Sequence, residues 1–117
     1  MASFYKYETV DIPLIFTPEG VLDGYKHIVV SLAQCGETLV NKTEENDDLD
    51  INVANNTITL HLSQEDTGLF SGGDIGSPLK ANVQVNIYYN NTERDVSAVK
   101  SIDVYENLYS KVIEDEQ

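Results

Sequence analysis

The chain has 117 residues and a mass of 13.0 kDa, which is the size of one domain. Seven Lys and Arg residues face twenty Asp and Glu residues, and the resulting net charge of −13 argues against nucleic acid or an anionic membrane surface as a partner. Hydrophobic residues make up 41% of the chain, enough for one core, and the single cysteine excludes an internal disulfide.

Alternating apolar and polar residues predict strands in the first part of the chain. Val10 to Phe16 is the first strand, and Pro13 predicts either a position at a sheet edge or a break in the strand, because proline cannot donate a hydrogen bond to a neighbouring strand. A second strand covers Tyr25 to Cys35, and a short third strand covers Thr38 to Val40. We interpret Cys35 as a small buried strand residue, since no nucleophile motif surrounds it.

The sharpest change in composition is the stretch Glu44–Asp50, in which five of the seven residues are acidic. We favour a solvated loop over a calcium site, because the run lacks the glycine and the final glutamate of an EF-hand loop. Strands follow over Leu49 to Val53 and over Ile58 to Leu62. The stretch Ala54–Thr57 between them predicts a tight hairpin turn, since asparagine tolerates a positive φ.

The second half of the chain begins with a helix signal. Ser63 and Asp66 have the spacing of a capping box, which predicts a helix of one or two turns after Ser63. The Gly-rich stretch 71–78 predicts a mobile loop between strands. The strongest strand pattern covers Leu79 to Tyr89, and its return strand covers Arg94 to Val104. Apolar residues at helical spacing over 105–113 predict a short C-terminal helix.

About seven strands with a turn signal every 8 to 12 residues predict an all-β fold, namely a single antiparallel β-sandwich of the Ig-like or jelly-roll-like kind. We expect one domain over residues 1–117, with an N-terminal arm (1–6) and an acidic C-terminal tail (114–117). The segment 1–6 shows no secretory signal, which favours synthesis and retention in a cytosol.

No residue pattern predicts a reactive centre. His27 and His61 lack a second ligand at zinc spacing, and no pair of titratable groups stands in an acid–base motif. We therefore expect no catalytic, cofactor-binding or metal-binding residues. Tyrosines near the two chain ends suit a protein interface, because tyrosine combines a large apolar face with a polar tip. The predicted partner-contact residues are Phe4, Tyr5, Tyr7, Tyr105, Leu108 and Tyr109.

The second half of the chain resembles short structural proteins of tailed bacteriophages over about residues 57–113. In that group an apolar strand runs into a Gln-Glu-Asp-Thr-like corner, here Gln64–Thr67. A strand of the form Val-x-Val-Gln-Val-x-(Ile or Arg) follows, here Ala81–Ile87 with Ala at its first position. A return strand comes next, and the group ends in a Leu-x-x-x-Val-Ile-like sequence, here Leu108–Ile113. The chain differs from the group at Gly68, where an apolar residue is usual.

The resemblance implies a β-sandwich virion component, in the head, neck or tail, that carries no enzymatic residues. Its partners would be other virion proteins, in a homo-oligomer or a multi-copy array, and it would be made in the cytoplasm of a bacterial host. Two other classes remain open. An acidic protein can mimic nucleic acid and block a basic host protein, and a small β domain can bind carbohydrate as an adhesin module, although the chain has no Trp.

Overall fold

The computed structural model describes residues 3–15, 22–46, 48–74, 76–90, 94–96 and 100–107. In these ranges the chain is mostly β-strand with one short helix, so the all-β prediction is confirmed. The elements in chain order are β1 (Ser3–Tyr5), β2 (Val10–Ile15), β3 (His27–Gln34), β4 (Glu37–Thr43), a 3-10 turn (Glu44–Asn46), β5 (Leu49–Asn52), β6 (Thr57–Leu62), α1 (Gln64–Gly68), β7 (Leu79–Tyr88), β8 (Arg94–Val96) and β9 (Lys100–Tyr105).

The described residues contain nine strands, whereas the sequence predicts about seven. All seven predicted strand regions contain a strand. The difference arises because β1 is additional and because the predicted return strand is present as the two strands β8 and β9. The C-terminal helix predicted over 105–113 does not begin at residue 105, because Tyr105 belongs to β9 and residues 106 and 107 are not helical. Its remainder from residue 108 onward and the acidic tail 114–117 lie outside the described residues.

The strands form two sheets. The larger sheet has the order β1-β9-β7-β3-β4, with β8 beside β7, and the smaller sheet has the order β2-β6-β5. Neighbouring strands are antiparallel except at one end of the larger sheet, where β1 pairs parallel with β9. The sequence predicts that residues 3–5 belong to an arm, but they form β1, the edge strand of this sheet.

Pro13 and the asparagine turn occupy the positions that the sequence predicts. The strand β2, which contains Pro13, pairs with β6 alone among the described strands and so lies at an edge of the smaller sheet. The hairpin between β5 and β6 turns at Asn56, whose φ is 55°, and the Asn56 amide donates to the Val53 carbonyl at 3.1 Å. Both predictions are confirmed because each depends on a local constraint of one residue type.

The two sheets share one hydrophobic core. Alternate residues of β7 and β3 point inward, since side chains of a strand alternate between its two faces. The fully buried large side chains come from both sheets and from the connections: Phe4, Ile12, Leu22, Ile28, Val30, Leu32, Ile58, Leu60, Leu62, Phe70, Ile87 and Ile102. This shared core fixes which residues remain on the outer faces.

The helix α1 begins at the predicted capping box. The Asp66 amide donates to the Ser63 hydroxyl at 3.1 Å, and the Ser63 amide donates to the Asp66 carboxylate at 2.9 Å. Thr67 is fully buried, and its hydroxyl donates to the Glu8 carbonyl at 2.8 Å. The helix therefore anchors the segment between β1 and β2.

Cys35 does not lie in a strand, contrary to the sequence interpretation. It is exposed, and with Gly36 it forms the two-residue turn between β3 and β4, where φ is 55° for Cys35 and 81° for Gly36. Such turns require positive φ at both central residues because this twist matches that of the two strands. The sequence gives no sign of it, since cysteine is not a usual residue there.

Candidate interaction site

The predicted contact residues lie on opposite faces of β1. Phe4 is only 1% exposed, and its ring meets that of Phe70 edge-on at a centroid distance of 5.5 Å. Its neighbour Tyr5 is 44% exposed. Because β1 joins the sheet, its middle residue points inward, so Phe4 is a core residue and offers no surface to a partner.

Tyr5 and Tyr105 form an aromatic pair on the outer face. They are directly opposite in the parallel register of β1 and β9. Their ring centroids are 5.3 Å apart and the rings are tilted by 32°. Two predicted contact residues from opposite ends of the chain are thus brought together at the end of the larger sheet.

Tyr7 lies apart from this pair. Its φ of 66° is unusual for a bulky residue, and its ring lies against Gly68, where an added Cβ would be 2.5 Å from the ring carbon Cε1. The Lys6 ammonium lies 5.4 Å from the centroid of the same ring. Tyr7 is therefore half-buried against α1. The remaining two predicted contact residues, Leu108 and Tyr109, lie outside the described residues.

A cleft of about 960 Å³ lies beside the aromatic pair. The described residues that line it include Tyr5, Glu8, Gly73, Asp74, Glu106 and Asn107. They come from the end of β1, from the stretch after β9 and from the Gly-rich loop before β7. We call this feature the Tyr5 cleft.

The Gly-rich loop is held in place at Ser71 and Gly73, whereas the sequence predicts a mobile loop. Gln34 is 5% exposed, and its side-chain amide donates to the Ser71 carbonyl at 2.7 Å while its carbonyl accepts from the Ser71 amide at 2.6 Å. Gly73 then pairs with the end of β9, donating to the Val104 carbonyl at 3.0 Å and accepting from the Glu106 amide at 2.8 Å.

Two of the three glycines of this loop, Gly72 and Gly73, are needed for close approach. A Cβ on Gly72 would be 2.6 Å from the Glu106 amide nitrogen, and one on Gly73 would be 2.2 Å from the Ser77 carbonyl oxygen. Both neighbours are backbone atoms, which cannot move aside as a side-chain end can. In the sequence these glycines suggest a flexible loop. In the structure they allow the loop backbone to pack closely against neighbouring backbone.

Three carboxylates line the Tyr5 cleft. Glu8 accepts from the Tyr5 amide at 2.9 Å, and Glu106 accepts from the Asn107 amide at 3.3 Å. In the part of the chain that the structure describes, neither of these residues nor Asp74 forms an ion pair with a basic side chain. The cleft is therefore negatively charged with no cation of its own in these ranges.

In a second, smaller cavity of about 220 Å³, acidic residues are paired with a basic side chain. Lys42 lies on the inner face of β4, and its ammonium is 2.7 Å from the Asp66 carboxylate and 3.5 Å from that of Asp48. Its side chain is only 13% exposed. Since Asp66 belongs to α1 and Asp48 precedes β5, Lys42 ties the larger sheet to the elements around the smaller one. We call this group the Lys42 cluster.

The pKa directions in the Lys42 cluster follow from this pairing. Burial acts to lower the pKa of Lys42, but the hydrogen bond and charge of Asp66, together with Asp48, outweigh it and raise this pKa. Burial acts to raise the pKa of Asp66, but the Lys42 ammonium and the Ser63 amide outweigh it and lower this pKa. Both groups are held in their charged forms, as a structural ion pair requires.

The sequence interpretation missed Lys42. The signal that identifies it is its position two residues after Val40, a core residue on the same face of β4. Lys42 lies opposite Val30 and Val40 lies opposite Leu32, so both side chains of β4 point toward the core.

The acidic stretch is not simply solvated. The Glu44 carboxylate accepts from the Ile28 amide at 2.6 Å and lies 3.3 Å from the His27 ring nitrogen. Burial acts to raise the pKa of Glu44, but the Ile28 amide and the His27 contact lower it. Among the described residues, no group of three or more His, Cys, Asp or Glu side chains is arranged to hold a metal ion.

No helix in the described ranges is both long and apolar enough to cross a membrane. Comparison with known proteins found no matching protein-family model and no significantly similar curated protein.

Proposed function

We propose that this chain is a bacteriophage virion structural protein, a minor, decorating or neck- or tail-associated component that acts by docking onto other virion proteins. The observation that supports docking is the Tyr5–Tyr105 pair, which lies on the outer face of β1 and β9 at the end of the larger sheet, beside a wide cleft. Tyrosine is enriched at protein interfaces because its ring contributes apolar area while its hydroxyl remains hydrogen-bonded. The resemblance over residues 57–113 suggests the kind of assembly.

In this proposal the two sheets pack face to face as a single β-sandwich. The shared core supports this arrangement, because residues of the three-stranded sheet and of the six-stranded sheet belong to one buried cluster. The sandwich supplies a rigid support, and the docking residues lie on it at fixed positions.

Virion components are present in many copies, so we expect a homo-oligomer or a multi-copy array within the particle. The net charge of −13 keeps free subunits apart in the bacterial cytoplasm until they meet a larger scaffold. The proposed role uses protein contacts alone and needs no catalytic residue, cofactor, nucleic acid or membrane.

The test is mass spectrometry of purified particles of the phage that encodes the chain. We expect the protein in intact particles at a fixed ratio to the major capsid protein. Its absence from intact particles would contradict the proposal.

Complementation with variants then tests the docking surface. We expect Tyr5→Ser to reduce the amount of protein in particles several-fold, because the exposed ring is lost. The matched control is Val53→Ser, which removes an apolar side chain that is 39% exposed in the β5–β6 turn, away from the cleft. Equal loss for both variants would show that docking does not depend on the Tyr5 side of the molecule.

A further inference from the structure

The Tyr5 cleft is large enough for a segment of another chain. Its volume of about 960 Å³ is at the upper end of the range of roughly 300 to 1,000 Å³ that is usual for ligand sites. Tyr5 and Gly73 both line it, and both are held in place by pairing with Tyr105 of β9. An occupant would therefore meet a largely pre-formed surface.

The charge of the wall limits the kind of occupant. Glu8, Asp74 and Glu106 line the cleft, and no Lys or Arg is among its described lining residues. The whole chain carries −13, so neither a second copy nor a nucleic acid complements the charge of this cleft, and subunit contacts within an array would use other surfaces. A positively charged segment would be attracted, and its charge would complement that of the cleft.

The aromatic pair favours the same chemistry. A cation over a tyrosine face is attracted by the negative charge of the ring surface, and Tyr5, which is 44% exposed, lines the cleft together with the acidic residues. The chain contains one such contact already, since the Lys6 ammonium lies over the Tyr7 ring. Arginine is better suited than lysine, because its planar guanidinium stacks on a ring and binds a carboxylate through two hydrogen bonds.

We infer that the Tyr5 cleft binds an arginine-bearing segment of a partner protein, with a guanidinium between the Tyr5 ring and the carboxylates of Asp74 and Glu106. This inference rests on the proposed docking function and names the chemistry of the docking partner.

The test uses the full chain and a fluorescently labelled oligoarginine peptide, with binding measured by anisotropy at about 150 mM salt, where diffuse attraction is screened. The cleft variant is Asp74→Asn with Glu106→Gln. The control variant is Asp23→Asn with Glu37→Gln, which removes the same charge from two exposed residues that do not line the cleft. We expect the cleft variant to bind about tenfold more weakly and the control to change by less than about twofold.

A third variant tests the ring. Tyr5→Leu keeps an apolar side chain but removes the aromatic face, and we expect binding to weaken by about two- to fivefold. Thermal unfolding of each variant establishes that it is folded. Equal weakening in the cleft and control variants would overturn the inference, because binding would then follow net charge. Failure of the wild-type chain to bind the peptide would overturn it as well.

The two proposals fail in different ways. If the protein is absent from particles but binds the peptide through the cleft, the virion role is wrong and the cleft chemistry holds. If the protein is present in particles but the cleft and control variants bind alike, the virion role holds and the cleft chemistry is wrong.

Discussion

The Lys42 cluster and the Tyr5 cleft use acidic residues in opposite ways. In the cluster two carboxylates surround one largely buried ammonium, so each of them has a cation of the same chain beside it. In the cleft three acidic side chains face a wide opening, and none forms an ion pair with a basic residue in the described ranges. The comparison distinguishes acidic residues that stabilise the fold from acidic residues that remain available to a partner. The net charge of the chain does not make this distinction.

We expect the largest effect from a substitution in the Gly-rich loop that lines the Tyr5 cleft. We expect Gly73→Ala to destabilise the fold by about 3 kcal/mol, because the added Cβ meets backbone atoms that cannot move aside. The control is Gly76→Ala in the same loop, where nothing lies within 4 Å of the added Cβ. Urea unfolding of both variants measures the difference. Equal stability of the two would show that Gly73 is not packed closely against the backbone of Ser77 to Leu79.

The next effect concerns the Lys42 cluster. Lys42→Met leaves the carboxylates of Asp48 and Asp66 without their cation, and we expect a loss of about 1 to 3 kcal/mol in the free energy of unfolding. Lys26→Met removes an exposed lysine and serves as the control. If both variants lose the same amount, the cluster contributes no more than an ordinary surface charge.

The same variant changes the pH dependence of stability. Because the folded chain lowers the pKa of Asp66, this carboxylate stabilises the fold above its usual pKa, and its contribution is lost as pH falls through the lowered value. The pKa of Lys42 is raised, so its contribution is present at neutral pH and is lost only as pH rises through that raised value. Below about pH 4 we therefore expect Lys42→Met to lose less stability than the wild type on further acidification, as measured by unfolding at a series of pH values.

We expect the smallest effect from removing the side chain that anchors the Gly-rich loop beside the Tyr5 cleft. Gln34→Ala removes both hydrogen bonds that the buried Gln34 side chain makes to the Ser71 backbone, at a cost of about 1 to 2 kcal/mol. Hydrogen exchange of the Ser71 amide should become faster by at least about tenfold. Gln84→Ala, on the exposed face of β7, is the control and should leave that amide unchanged.

Local patterns account for the elements that the sequence predicts well. The strand regions follow from two-residue alternation, the edge position of β2 follows from Pro13, and the start of α1 follows from Ser63 and Asp66. Each depends on residues that are close in the chain, so no knowledge of distant partners is needed.

The site depends on contacts between distant residues, and for that reason the sequence predicts only part of it. The sequence predicts Tyr5 and Tyr105 as contact residues individually. It does not predict that they contact each other, because this requires the parallel register of β1 and β9. The inward position of Phe4 follows from the same pairing. The anchoring of the Gly-rich loop depends on Gln34, which is 37 residues away from Ser71.

The contact between Tyr7 and Gly68 has a consequence for how the sequence can change over time. The two residues are far apart in the chain, yet a methyl group at position 68 would overlap the ring at position 7. We expect a homologue with a larger residue at position 68 to carry a smaller side chain, a rotated ring or a different backbone path at position 7. Substitutions at the two positions should be correlated in an alignment of descendants of a common ancestor.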